Sequence, residues 1–359
     1  MKIMKKTVFV TMIILLLFCG VSADNDEIYR AADGIEVEIG NFSFEDFAKS
    51  LAQGEGMPVQ SIGKSLVNFL LGEVKTAMGM LGTAVAVAIL SGAVSGMCFG
   101  KDAEGITFFI CITLASGMAV TGFYAIGEMA EKTVRNISVF MSAAVPSMAA
   151  LGVASGNTAA FMTAAPVMLS GTLNSYIVSY IVIPAMYTAL AMSIVSNIGE
   201  KKYLDKFSKL VMKTALWVVC GAETIYCAIT GISSFAAGAI GKVAGKAVKF
   251  TVSSAIPVVG SILSDATDAL ASSAAVIKNT AGAAGMVLII LLFAAPVLKC
   301  AAMLFAYRLC AAVIQPVCDK RITALFSDIG EVLASLTGIL IAMGVAGVIS
   351  LGILAGGIK

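Results

Sequence analysis

The chain has 359 residues, 59% of them hydrophobic and only 13% charged, with a net charge of +2 and a mean hydropathy of +0.96. Soluble domains average roughly a quarter charged residues, so this composition excludes an ordinary soluble enzyme and implies a membrane protein. Histidine is absent, which removes the commonest general base and metal ligand and argues against catalytic triads, zinc-protease helices and di-iron sites.

Residues 1–23 read as a secretory signal: Lys2, Lys5 and Lys6, an apolar stretch from Val8 to Phe18, then Val21-Ser22-Ala23 as a small-residue cleavage site. Cys19 follows Phe18 rather than a small residue, which disfavours a lipoprotein anchor. Residues 24–75 form an acidic region that this signal places outside the cytoplasm. Between Asp24 and Glu73 there are 10 of the 22 acids and only three basic residues, Arg30, Lys49 and Lys64. Ser43 with Asp46 resembles a capping box ahead of Phe44, Phe47 and Leu51. Gly54 would stop that helix, and a second one from Val59 places Ile62, Leu66, Phe69 and Leu70 on one face. Two amphipathic helices on the outer membrane surface are expected.

The polytopic body, residues 76–359, follows. Spans are predicted over Thr76–Phe99 and Gly105–Gly127, joined by the charged loop Lys101-Asp102-Ala103-Glu104. From 136 to 199 there are 64 residues without a charged side chain, whereas one crossing needs about 20 apolar residues. This run divides near Gly156-Asn157 and again near Leu173-Asn174, and Pro146, Pro166 and Pro184 predict kinked or broken helices. Leu210–Ser233, Gly282–Tyr307 and Val332–Gly356 are the remaining spans. The fold class is therefore an all-α polytopic membrane protein with about six to eight transmembrane helices and a small helical extracytoplasmic N-terminal region. Gly92 and Gly96, Gly152 and Gly156, and Gly352 and Gly356 form G-x-x-x-G spacings that allow close helix approach.

Loop charges set the orientation. Lys201, Lys202, Lys206, Lys209 and Lys213 form the densest basic cluster, and Lys299, Arg308, Lys320 and Arg321 bracket another. Placing both inside agrees with an extracytoplasmic mature N-terminus if the uncharged run crosses an odd number of times.

Glu223 lies halfway along its span, where a charge costs at least ~2.5 kcal/mol, which favours the neutral acid. Two readings stand: a residue on an ion or solute path, alongside midplane polar groups such as Asn174, or a carboxyl bonded to a neighbouring helix with Tyr226 nearby. Lys213 is ten residues earlier, about 15 Å along the axis, too far to pair directly. Lys242, Lys246 and Lys249 make a basic stripe suited to anionic headgroups or an aqueous pathway. Pro257 and Gly260 break the helix after it, so residues 234–281 are expected to form an amphipathic or re-entrant insertion. Asp265 and Asp268 are i, i+3 neighbours that suit a docking surface, a pore mouth or a plain hairpin. The eight cysteines, Cys19, Cys98, Cys111, Cys220, Cys227, Cys300, Cys310 and Cys318, are dispersed in or beside apolar segments without a C-x-x-C, and read as small core hydrophobes. Gly63-Lys64-Ser65 lacks the first glycine of a nucleotide loop, since position 58 is Pro.

The run from Ile256-Pro257-Val258-Val259-Gly260-Ser261 through Asp265 and Asp268, then Lys278-Asn279-Thr280-Ala281-Gly282, together with Ile314-Gln315-Pro316-Val317-Cys318-Asp319, resembles the stage III sporulation protein AE family of endospore-forming bacteria. Ser261 stands where that pattern has Gly. The resemblance implies a multi-pass protein of the mother-cell membrane around the forespore. Its implied partners are the other proteins of the stage III sporulation AA–AH operon, including an ATPase and ring-forming components, membrane lipids and, indirectly, a forespore channel partner. No nucleic acid, cofactor, metal or family catalytic residue is implied. The leading expectation is a non-enzymatic subunit of a mother cell-to-forespore channel or secretion-like complex. The alternative is an autonomous secondary transporter using the midplane carboxylate Glu223, although no convincing internal repeat of the kind such folds carry is present. An intramembrane enzyme ranks third, because paired intramembrane acids are lacking.

Overall fold

The computed structural model describes residues 59–96, 101–154, 159–199, 203–255, 260–316 and 318–356, with the side chains of 234–281 outside the description. The signal segment, the acidic stretch up to residue 58 and Pro257 therefore lie outside the described residues. All regular structure among the described residues is helical: α1 (Val59–Gly96), α2 (Lys101–Ala154), α3 (Ala159–Ile177), a π-helical turn (Val178–Val182), α4 (Ile183–Ile198), α5 (Asp205–Ala255), α6 (Gly260–Ile314) and α7 (Lys320–Gly356). Five stretches are long and apolar enough to cross a membrane: Gly105–Ala150, Met162–Ile198, Asp205–Ser233, Gly282–Ile314 and Lys320–Ala355. The span expected at Thr76–Phe99 falls on α1 and partly outside the described residues.

Several segments are more continuous than the sequence implies. The helix expected from Val59 does begin there, but it runs unbroken into the first expected span. Lys101 to Glu104, read as a loop, opens α2, which continues for 54 residues past Pro146, a length of about 81 Å. The described part of α2 ends at Ala154 and that of α3 begins at Ala159, on either side of the division expected near Gly156-Asn157. The second division near Leu173-Asn174 does not occur, because α3, the π turn and α4 form one continuous helix. Pro184 explains the π turn. Its ring would collide with the carbonyl four residues back, and the wider turn just before it relieves that clash. The backbone N–H of Ile183 instead donates to Val178 O. Residues 234–255 and 260–281 are helical and belong to α5 and α6, which reach 51 and 55 residues.

α2 runs antiparallel to α3 and α6, and α6 to α7, and these pairs meet at small residues. A Cβ on Gly171 would stand 3.3 Å from Met141 Cβ, joining α3 to α2. On Gly285 it would meet Phe140 at 3.0 Å, joining α6 to α2, and on Gly344 it would meet Phe293 at 3.1 Å, joining α7 to α6. Gly282 similarly abuts Ala355. Gly352, one of the expected G-x-x-x-G residues, also stands at such a contact, 3.4 Å from Met286 Sδ. Phe123, Phe140, Phe326, Met141, Met186 and Leu288 are fully buried at the centre of this bundle. Cys111, Cys300 and Cys310 are buried among them, in keeping with their reading as core hydrophobes.

The α4–α5 and α6–α7 turns lie at one end. Asn197 near the first contacts Asp328 just beyond the second, and the Arg321 guanidinium sits 3.7 Å over the Phe108 ring of α2. The basic clusters Lys206–Lys213 and Lys320–Arg321 therefore share that end, as the charge pattern required. Lys299 does not belong with them. It lies well inside α6 and faces Glu73 of α1 at 3.8 Å.

Candidate functional site

α5 turns one stripe inward: Ser208, Met212, Ala215, Val219, Glu223 and Thr230 are buried, while Trp217, Ile225, Ile229 and Ile232 are exposed on the opposite face. That spacing of three and four residues follows from helical periodicity. It places Glu223 on the core stripe rather than toward lipid. Only 7% of Glu223 is exposed, and neither Oε1 nor Oε2 has a hydrogen-bond partner. Tyr226 lies one turn on, and its buried hydroxyl also lacks a partner. Asn174 of α3 lies beside the carboxyl, although neither carboxyl oxygen is hydrogen-bonded. The structure thus keeps Asn174 and Tyr226 close to Glu223, the two polar groups that the sequence had associated with it. Lys213 is not part of this cluster; it is exposed on the lysine-rich end of α5.

Buried polar groups in proteins are nearly always hydrogen-bonded, and an unpaired buried charge is very costly. An acid and a phenol left open in an apolar bundle, with an amide beside the acid, form a small polar site. It can hold a proton on the carboxyl, or accept water or a polar group that supplies the missing hydrogen bonds. At membrane depth such residues mark ion or solute paths by default.

A second polar cluster, at the lysine-rich end, was not anticipated. Asn197 is fully buried; its Nδ2 donates to Asp328 Oδ2 at 2.7 Å and to Ser193 O at 2.8 Å. The Ser193 and Ser208 hydroxyls are 2.9 Å apart, and Ser208 also donates to Ala189 O at 2.9 Å. Lys209 bridges Asp205 and Glu331, each at 3.4 Å. This network ties α4, α5 and α7 together. The available signal was the i, i+4 pair Ser193 and Asn197 inside an otherwise apolar run, but its partner lies 131 residues away.

The motif residues fall into two groups. Gln315 and Pro316 are exposed at the α6–α7 turn. Asp319, which closes that motif, caps α7: its Oδ1 accepts the Arg321 backbone N–H at 2.7 Å and its Oδ2 pairs with Arg321 Nη2 at 3.1 Å. Burial alone would raise the Asp319 pKa, but the Arg321 hydrogen bonds and charge outweigh it and hold the carboxyl below its ordinary value. The other group frames the α5–α6 junction. The described part of α5 ends at Ala255 and that of α6 starts at Gly260, on either side of Pro257. Lys242, Lys246 and Lys249 ride on α5, and Asp265, Asp268, Lys278 and Asn279 on α6, with their side chains outside the described residues.

A sequence profile described as stage III sporulation protein AE matches residues 42–357 of the chain. Stage III sporulation protein AE of Bacillus subtilis (strain 168) is 26% identical over 308 residues, which cover 82% of this chain and 76% of that protein. No solved structure matches the chain.

Proposed function

Because the chain belongs to the stage III sporulation protein AE family, we propose that it serves endospore formation as a non-enzymatic membrane subunit of a channel or secretion-like complex between mother cell and forespore. Its place is the mother-cell membrane around the forespore, with the lysine-rich end of the bundle toward the cytoplasm. The proteins of the stage III sporulation AA–AH operon, including an ATPase and ring-forming components, are its proposed partners. The observation that carries this reading is the unpartnered Glu223 carboxyl and Tyr226 hydroxyl, with Asn174 beside the carboxyl, within membrane-length helices. A protein serving only as an anchor has no need of unsatisfied polar groups there. Affinity purification from engulfed cells tests the proposal. Recovery of the neighbouring operon proteins is expected, and their consistent absence overturns it.

Glu223 also supports a second reading, an autonomous secondary transporter that uses the carboxyl to couple solute and proton movement. Liposomes holding this protein alone would then show solute flux that Glu223→Gln abolishes. Flux that is absent, or unchanged by the substitution, removes that reading.

A further inference from the structure

We propose that the face of α2 carrying Glu128, Glu131, Lys132 and Arg135 borders a water-filled path through the bilayer. This deepens the conduit reading above and rests on it. Two independent rulers fix the depth of these charges. First, the Ser179 hydroxyl donates to Glu131 Oε1 at 3.2 Å, so the two residues stand level. Ser179 sits at the centre of Met162–Ile198, a 37-residue run without a charged side chain. The hydrocarbon core takes about 20 helical residues, and every window of that length inside the run contains Ser179. Second, the Asn197–Asp328 contact aligns α4 with α7. Counting away from it at equal rise, the uncharged stretch 332–355 stands beside about residues 170–193. The midpoint of that layer lies within about three residues of Ser179.

The charges at this level point outward. Arg135 pairs with Glu131 at 2.9 Å along the same helix, yet their side chains remain 67% and 36% exposed. Glu128 and Lys132 are exposed beside them. Lipid is a poor neighbour for such a face, since each charge at mid-depth costs at least ~2.5 kcal/mol. A Lys or Arg stem reaches roughly 6 Å, well short of the interface about 15 Å away. A dry protein contact is also unfavourable, because the Glu131–Arg135 bond runs along the helix and leaves most guanidinium donors open. Water satisfies all of them. The Glu73–Lys299 pair adds charge in the same layer: the Phe293–Gly344 contact sets Lys299 opposite about residue 338 of the uncharged α7 stretch. By contrast Ile225 and Ile229 on α5, and Leu169 on α3, are exposed and apolar, as lipid contact requires.

Single cysteines placed in the full-length chain in native membranes, with labelling read on the individual peptides, test the proposal. The probe is a membrane-impermeant, charged thiol reagent that reacts only with thiolates in water. Lys132→Cys and Arg135→Cys are expected to react at least tenfold faster than Ile225→Cys, Ile229→Cys and Leu169→Cys. Equally slow reaction at all five overturns the proposal and favours a dry protein contact. Fast reaction at Ile225 as well overturns it too, because the outer face of the bundle would then lie outside the lipid. Should Arg135→Cys fail to accumulate, Glu128→Cys and Lys132→Cys decide the matter. Slow labelling with operon proteins still co-purifying sinks this inference alone; loss of co-purification with fast labelling sinks the conduit reading instead.

Discussion

Two polar clusters on the inner stripe of α5 differ in one respect that separates structure from function. At the lysine-rich end, Asn197 gives both amide hydrogens to Ser193 and Asp328, and Ser208 is bonded to Ser193 and Ala189, which leaves Asn197 Oδ1 and Ser196 Oγ as the open atoms there. About fifteen residues further along α5, both oxygens of the Glu223 carboxyl and the Tyr226 hydroxyl are buried and open. Satisfied groups hold helices in place. Unsatisfied ones oppose folding, so their presence has to be explained by what they do when something occupies them. The lesson is that burial of a polar residue is uninformative until its partners are counted.

The sharpest way to break this contrast is to delete one partner at the closed cluster. Asn197→Ala removes a donor from the buried Asp328 and should cost about 2–3 kcal/mol, since hydrogen bonds to charged groups are the strong ones. A lowered midpoint for thermal unfolding of the detergent-solubilised protein is expected; an unchanged midpoint would deny the cluster its structural role. The mirror experiment is Glu223→Leu. Replacing an open polar group with an apolar one of similar size should leave stability unchanged or slightly improved, while spore counts fall at least about tenfold if the conduit depends on the carboxyl. Normal sporulation with this variant would place Glu223 among the incidental residues.

Smaller effects test the frame around both clusters. Gly344→Ala forces a Cβ within 3.1 Å of Phe293, whereas a Cβ on Gly338 meets nothing within 4 Å. The first should destabilise by about 1–3 kcal/mol through overpacking. Gly338→Ala on the same helix should gain about 0.5–1 kcal/mol from lost unfolded-state freedom. Equal shifts in the two melting curves would contradict the packing described for α6 and α7. The smallest effect belongs to the α7 cap, where Asp319→Ala should cost about 1 kcal/mol. Because the folded Asp319 is more acidic than the unfolded one, its contribution is complete above the unfolded value and is lost as pH falls through the folded one. The difference between wild type and Asp319→Ala should accordingly shrink on acidification; a difference that grows would show that Arg321 does not hold the carboxylate.

Much of this architecture can be read from residue order alone, because membrane burial acts on local composition. Apolar length marked out the spanning segments and put Glu223 halfway along one of them. Lys201 to Lys213 and Lys320 to Arg321 were assigned to one end from charge alone, and the Asn197–Asp328 contact puts Lys206 to Lys213 and Lys320 to Arg321 there. Tertiary structure decided everything that depends on distant partners. Helix continuity through Leu173-Asn174 rests on the π turn before Pro184, which no single-residue preference specifies. The placement of Lys299 inside the bundle depends on Glu73, more than 200 residues earlier in the chain. Whether Glu223 and Asn197 are open or closed follows from which helix each one faces, and antiparallel packing of long helices sets that register. Hydrophobicity is summed along the chain, but hydrogen bonding is settled between chain segments; the first is therefore visible in one dimension and the second only in three.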